Sequence, residues 1–394
     1  MRFNAVLSNQ QHPEYGVATI PFPIPKEEYE NTLALLEPLE IGDAVRQDCR
    51  IQEVRSSWTA LKQMETTQAN LDELDYLAKR LDSFDDYEMT QFQGMASRLK
   101  LYGVDELINL SFCCQAVTVV TDFDDFNSLG HRHLLTLNGG CAVSEEMQTK
   151  DFQQLALNLI EGEVGRVTPY GVVYDNAFEM AQLYDGQHFP QYLYESCVLE
   201  VKIRPRNAPV DSPGTFLCLP LPQTQIERAM LRTGVDRYGD MSLRFMGSEL
   251  PEEVDVALDF AGESLSELNE MCRAIQPLSP TEREKLGAVT LLAQPEYALQ
   301  IRHLAENLDQ FEFVPGVKSP AEYGRYMIQE SGHFEYDENL VEFYDFEKYG
   351  RQRMEQDDGV FNQRGYVAYQ GTLSLDELMM EEPTREQGME MQQY

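Results

Sequence analysis

The chain has 394 residues, too long for one ordinary domain and enough for two or three. Hydrophobic residues make up 42% and aromatics 10%, which allows packed cores and excludes a mainly disordered chain. Sixty-seven Asp and Glu against 31 Lys and Arg give a formal net charge of -36, a field that repels nucleic acid and anionic membranes and attracts basic proteins.

The first residues turn polar at Ser8 without a signal-peptide core, and no apolar stretch approaches the roughly 18 residues of a membrane span. The expectation is a cytoplasmic protein. Tyr15 to Ile20 reads as a strand that leaves through Pro21, Pro23 and Pro25 into a helix carrying Leu33 and Leu36. An apolar-periodic stretch starts at Leu71-Asp72-Glu73-Leu74 and runs through Leu77, Leu81 and Met95. Two acidic clusters lie in this part, Asp82, Asp85, Asp86 and Glu88, then Asp122, Asp124 and Asp125. Asp151 to Glu161 reads as one amphipathic helix, Gly165 to Tyr174 as a turn and a strand, and Phe189 to Tyr194 as an ordered connector. A second strand with a proline-marked exit, within Pro213 to Pro222, leads into a helix through Met230 and Leu231.

These elements suggest a repeat. Leu265-Ser266-Glu267-Leu268 lies 194 positions after Leu71, and the apolar pattern keeps that offset through Ile301, Leu304 and Tyr323-Gly324, the last opposite Leu129-Gly130. The expected organisation is a first copy over 1–142, an insert or connector over 143–199, a second copy over 200–378 and a disordered tail over 379–394. The expected fold class is α+β: elongated and modular, with tandem small strand-helix and helical domains and an acidic surface.

Residue types that carry chemistry are sparse or poorly spaced. The seven cysteines, Cys49, Cys113, Cys114, Cys141, Cys197, Cys218 and Cys272, form no CxxC pair and read as reduced thiols. His131-Arg132-His133 puts two imidazoles on one side of an expected strand, with no third ligand at metal spacing. Asp122, Asp124 and Asp125 lack the glycine and glutamate of a calcium loop. Phosphate-loop, nucleophile-elbow and zinc-protease motifs are missing, so neither a cofactor nor a catalytic residue is expected. Lys202, Arg204 and Arg206 form one short basic cluster in a background that would repel every phosphate.

The densest acidic text is in the last third: Glu335, Asp337, Glu338, Glu342, Asp345, Glu347, Glu355, Asp357 and Asp358, opposed only by Lys348, Arg351 and Arg353. Phe334, Tyr336, Phe343, Tyr344, Phe346 and Tyr349 interleave with them. The spacing of Phe343, Phe346 and Gly350 predicts a short helix with an aromatic inner stripe and a carboxylate outer face. Duplex DNA presents one charge per roughly 1.7 Å of axis. A helix rises about 1.5 Å per residue, so acids every few residues approximate a phosphate track.

Over roughly 319–369 the chain resembles the ArdA-type antirestriction proteins of conjugative elements. The resemblance rests on Ala321-Glu322-Tyr323-Gly324-Arg325-Tyr326, on Phe343-Tyr344-Asp345-Phe346-Glu347-Lys348-Tyr349-Gly350-Arg351, and on Gly359-Val360-Phe361 with Gly365-Tyr366-Val367. It implies a DNA mimic that works without a cofactor or catalysis. Such a protein occupies the DNA site of a type I restriction-modification enzyme and does not itself bind nucleic acid or membrane. The acidic residues above would form the partner-binding surface, with Asp82, Asp85, Asp86, Asp122, Asp124 and Asp125 as nearest equivalents in the first copy. The chain would be a homodimer or a pseudo-dimeric monomer. An acidic chaperone or regulator of a basic DNA-processing partner is the alternative. The chain departs from the family in its greater length, and 144–199 has no recognised counterpart.

Overall fold

The computed structural model describes residues 3–141, 149–209, 211–260, 262–333 and 335–380. It shows an α+β, modular protein of helices and small antiparallel sheets. The chain divides into two compact units. The first takes in Met1–Glu195, Ala208–Phe216 and Gln223–Asp236, and the second Ser196–Asn207, Leu217–Pro222 and Arg237–Tyr394. Most of the expected tail, 381–394, lies outside the described residues, as do Phe334 and the start of the expected connector.

The first unit opens with a sheet in the order β2-β1-β3-β4, from β1 (Phe3–Asn9), β2 (Val17–Phe22), β3 (Cys49–Arg55) and β4 (Gln68–Ala69). β2, at the sheet edge, accommodates Pro21 opposite Asn4 and stops at Phe22 before Pro23, and α1 (Tyr29–Leu36) follows. α2 (Leu71–Asp82), α3 (Asp86–Leu99) and α4 (Val104–Leu110) pack their apolar faces into one core with the sheet, through residues such as Leu7, Ile51, Leu74, Leu77 and Phe92. A second sheet has the order β5-β7-β6, from β5 (Thr118–Val120), β6 (Arg166–Thr168) and β7 (Gly171–Tyr174). Beside it lie α5 (Phe126–Leu137) and α6 (Phe152–Gly162), whose Leu129, Ala156 and Leu159 share a small core with Val120 and Tyr174.

His131 and His133 therefore sit on a helix, not on the expected strand. Asp125 caps it by accepting the Ser128 N–H, and Leu129, His133 and Leu134 are buried at helical spacing. Alternating imidazoles suggested a period of two, but the apolar residues around them set the conformation. The His133 Nδ1 and the Thr118 hydroxyl are 2.9 Å apart, inside the fold.

α7 (Gln223–Thr233) is also part of the first unit. Its Arg228 donates from Nε and Nη2 to Asp72 at 3.1 and 3.0 Å, and from Nη1 to the Gly42 carbonyl at 2.7 Å. Arg232, 2% exposed, donates to Asn70 Oδ1 at 2.6 Å and lies 4.5 Å over the Phe189 ring. The Tyr29 hydroxyl donates to Asp72 as well, and the Tyr184 hydroxyl donates to Glu73. None of this network was read from the sequence, because two arginines on a helix do not reveal which carboxylate they meet.

The second unit also opens with a small sheet. β8 (Leu199–Pro205), β9 (Thr215–Leu219) and β10 (Met241–Ser248) form a sheet in the order β10-β8-β9. Four helices follow: α8 (Glu252–Ala257), α9 (Leu265–Ile275), α10 (Pro280–Ala293) and α11 (Ala298–Glu306). Then come β11 (Phe311–Pro315), α12 (Pro320–Gln329), α13 (Phe346–Gln356), β12 (Val360–Phe361), β13 (Gly365–Tyr369) and α14 (Leu375–Met380). Here α8 is held by Arg364, which pairs with the largely buried Glu253 at 2.7 Å.

Cys197 and Cys218 are joined as a disulfide, which corrects the reading of all seven cysteines as thiols. The Val198 N–H donates to the Leu219 carbonyl, and this neighbouring bond sets the two cysteines 5.3 Å apart at Cα, within bridging distance. The other five are free, with Cys49, Cys114 and Cys272 buried.

Replacing Arg232 by Met is expected to destabilise the chain by about 3 kcal/mol, because Asp72 and Asn70 lose a buried partner. Urea unfolding followed by far-UV circular dichroism measures it, and a change under about 1 kcal/mol would show the pairing to be dispensable.

Candidate functional site

Most acids of the last third lie in the segment joining α12 to α13 and at the two ends of α13, and two glycines set how these helices meet. A Cβ on Gly324 would overlap the Phe346 carbonyl oxygen, and one on Gly350 would overlap the Pro320 carbonyl oxygen. The helices therefore touch backbone to backbone, which no larger residue permits. The tyrosine before Gly324 points the other way. Tyr323 is fully buried, stacks on Tyr366 with centroids 3.8 Å apart, and donates to Glu312 at 3.2 Å. Val314, Met327, Tyr366 and Ala368 complete a core beneath, with Tyr349 and Phe361 against it.

The sheet under the helices has the order β11-β13-β12. Glu347 and Glu355 lie on α13, Asp345 and Asp357 cap it, Glu335, Asp337, Glu338 and Glu342 lie in the segment before it, and Asp358 follows it. Glu335, Asp337, Glu338, Glu342, Asp345, Glu347, Glu355 and Asp358 are exposed, and Asp357 is half-buried. Several are already engaged. Asp345 caps α13 by accepting the Lys348 N–H at 3.0 Å, and Asp337 accepts the Asn339 N–H at 2.9 Å. Glu347 pairs with Arg351 at 2.7 Å and Asp357 with Arg353 at 3.1 Å, both one helical turn apart. Among the described residues Glu335, Glu338, Glu342, Glu355 and Asp358 join no ion pair.

The aromatic reading needs correction. Phe343 is 82% exposed and ends a 3-10 turn, Glu338–Phe343; it is not part of an inner stripe. The Asp345 cap starts the helix at Phe346, so Phe343 is outside its register. Tyr336, Tyr344 and Phe346 instead form a half-buried row, with ring centroids 5.7 and 5.9 Å apart, and Arg325 lies 5.4 Å over Phe346.

The other acidic clusters belong to the first unit, and the structure gives several of them local work. Asp85 caps α3 by accepting the Tyr87 and Glu88 N–H groups, each at 2.8 Å. Asp82 accepts the Tyr194 hydroxyl at 2.9 Å, and Asp86 is exposed. Asp122 accepts the Asp124 N–H, while Asp125 caps α5. Asp122 and Asp125 line a cavity of about 170 Å³ with Tyr87, Thr118, Ser128 and Arg132. Among the described residues no group of three or more His, Cys, Asp or Glu could hold a metal ion, and no helix is long and apolar enough to cross a membrane.

The family model described as Antirestriction protein (ArdA) matches residues 212–368. The chain is thus similar to ArdA proteins over these residues, a stretch that contains both glycine contacts and the acidic residues around them. No curated protein matches the chain.

Hydrogen bonds to capping groups hold several carboxyls below their usual pKa: the Ser128 hydroxyl for Asp125, the Ser279 hydroxyl for Glu282 and the Lys318 N–H for Glu322. A depressed folded pKa adds stability that is complete above the unfolded value and lost as pH falls through the folded one. The melting temperature is therefore expected to hold at neutral pH and to drop below about pH 4. A melting series across that range measures it, and a flat profile would show that these caps contribute nothing. Gly324→Ala is expected to cost at least about 1–3 kcal/mol through overpacking. Glu347→Gln should stay within about 0.5 kcal/mol. Equal effects in thermal unfolding would contradict the close backbone approach.

Proposed function

We propose that this protein is an antirestriction protein that acts, without catalysis or cofactor, as a DNA mimic occupying the DNA-binding site of a type I restriction-modification enzyme. The observation that carries this reading is the ArdA match over 212–368, coincident with exposed carboxylates on α13, at its ends and in the segment that joins it to α12, the two helices being held together at two glycines. The partner-binding surface is assigned to Glu335, Asp337, Glu338, Glu342, Asp345, Glu347, Glu355, Asp357 and Asp358. Rigid display matters because a partner closing on DNA through Lys and Arg finds the charges already in place, so little side-chain order is lost on binding. The large net negative charge adds long-range attraction that speeds encounter and is screened by salt. The cytoplasm, where such enzymes act, is the assigned location.

The test is displacement. A type I methyltransferase core is held on labelled duplex DNA, and the protein is titrated in at several salt concentrations. The expected result is competitive displacement that weakens steeply with salt. Absence of displacement at low salt would remove that enzyme as the target.

A further inference from the structure

We propose that residues 3–174 are a second copy of the module formed by 199–369. On this reading the family relationship extends into the half of the chain that the family model does not reach, and both copies engage the partner. The second part of this proposal rests on the DNA-mimic reading; the first part does not.

Element positions give the first argument. α2, α3, α4, α5, α6, β6 and β7 each begin 194 positions before α9, α10, α11, α12, α13, β12 and β13. α3 and α10 also end at that offset, as do α6 and α13. Helical periodicity alone would not keep nine element boundaries, two of them strand starts, in phase.

Strand pairing is stronger evidence, because a one-residue slip inverts every side chain. Val120 pairs with Val172 as Val314 pairs with Tyr366, and Arg166 with Val173 as Val360 with Val367. In the first sheet of each copy, Leu7 pairs with Ile51 and Val6 with Glu53, skipping Gln52. Its counterpart pairs Val201 with Phe245 and Glu200 with Gly247, skipping Met246. Both sheets therefore carry a bulge at the same position.

Local devices recur too. The caps Asn70, Asp85, Asp125 and Asp151 stand where Ser264, Ser279, Ser319 and Asp345 stand. Lys100 and Gln294 end α3 and α10 in the left-handed conformation. Asp75 accepts the Ile24 N–H as Asn269 accepts the Leu221 N–H. A Cβ on Gly130 would overlap the Phe152 carbonyl oxygen, as one on Gly324 would overlap that of Phe346.

This alignment places α6, β6 and β7 opposite α13, β12 and β13, so the first copy ends near Tyr174 and not at 142. The exposure pattern agrees: Phe152, Leu155 and Ile160 are half-buried and Ala156 buried, as are Phe346, Tyr349, Met354 and Gly350. Asp151, Glu161 and Glu163 occupy the positions of Asp345, Glu355 and Asp357, while Gln154, Leu157 and Leu159 replace Lys348, Arg351 and Arg353. The first copy keeps acids on this helix and drops its cations.

Two experiments on the full chain separate the parts. In the first, residues 149–174 are replaced by 343–368, in register or shifted by two residues. The in-register graft is expected to keep one cooperative thermal transition and the shifted graft to lose it. Loss in both would overturn the duplication. In the second, Asp122→Asn/Asp124→Asn/Glu161→Gln and Glu347→Gln/Glu355→Gln/Asp358→Asn are compared in the displacement assay. Each set is expected to raise the half-displacing concentration by about three- to tenfold, and the two together by more than either. An unchanged first set beside a weakened second would overturn engagement by the first copy. Failure of the unaltered protein to displace DNA would refute the mimic reading, while the graft still decides the duplication.

Discussion

The C-terminal acidic region is organised by how closely α12 and α13 approach. With Gly324 and Gly350 at the crossing, each backbone rests on the other, and the pair has almost no freedom to slide. The aromatic residues beside the glycines are driven down into the sheet, where Tyr323 meets Tyr366. On the outside, Glu347 and Glu355 take their directions from a helix that main-chain contact holds in place. Carboxylates placed there become part of a stiff object.

A chain this negative must still hold together, and its scarce cations show how it does. Arg228 and Arg232 are drawn inward to Asp72 and Asn70, and Arg364 to Glu253. These guanidiniums neutralise acids that could not otherwise be enclosed, since a buried carboxylate without a partner is prohibitively costly. Using arginine inside leaves the surface with even less positive charge than the composition suggests. Interior pairing and exterior repulsion are thus two sides of one distribution.

Much of the fold was legible because its signals are local. Proline-ended strands, the apolar period from Leu71 and the second one from Leu265 all correspond to elements at those places. The tyrosine-glycine pairs were legible as a family pattern, while their physical role, two backbones in contact, needed coordinates. Where the reading failed, a short-range pattern misled. Alternating histidines mimicked a strand at His131, and Phe343 was counted into a helix that Asp345 starts three residues later. The cysteine pair was illegible for another reason: Cys197 and Cys218 meet only because two strands pair, and spacing along the chain says nothing of that. The surface acids were legible as a list, but which ones cap helices and which stand alone was not.

That last distinction bears on how such a protein can change over time. Asp85, Asp125, Asp151 and Asp345 each close the first turn of a helix, where the peptide dipoles welcome negative charge. At these sites selection for folding and selection for charge ask for the same residue, so they should drift slowly. Glu335 and Glu355 are exposed and close no helix, so on the proposed reading they answer to charge alone. A lineage facing a new basic surface can redraw the pattern there one substitution at a time, without putting the scaffold at risk.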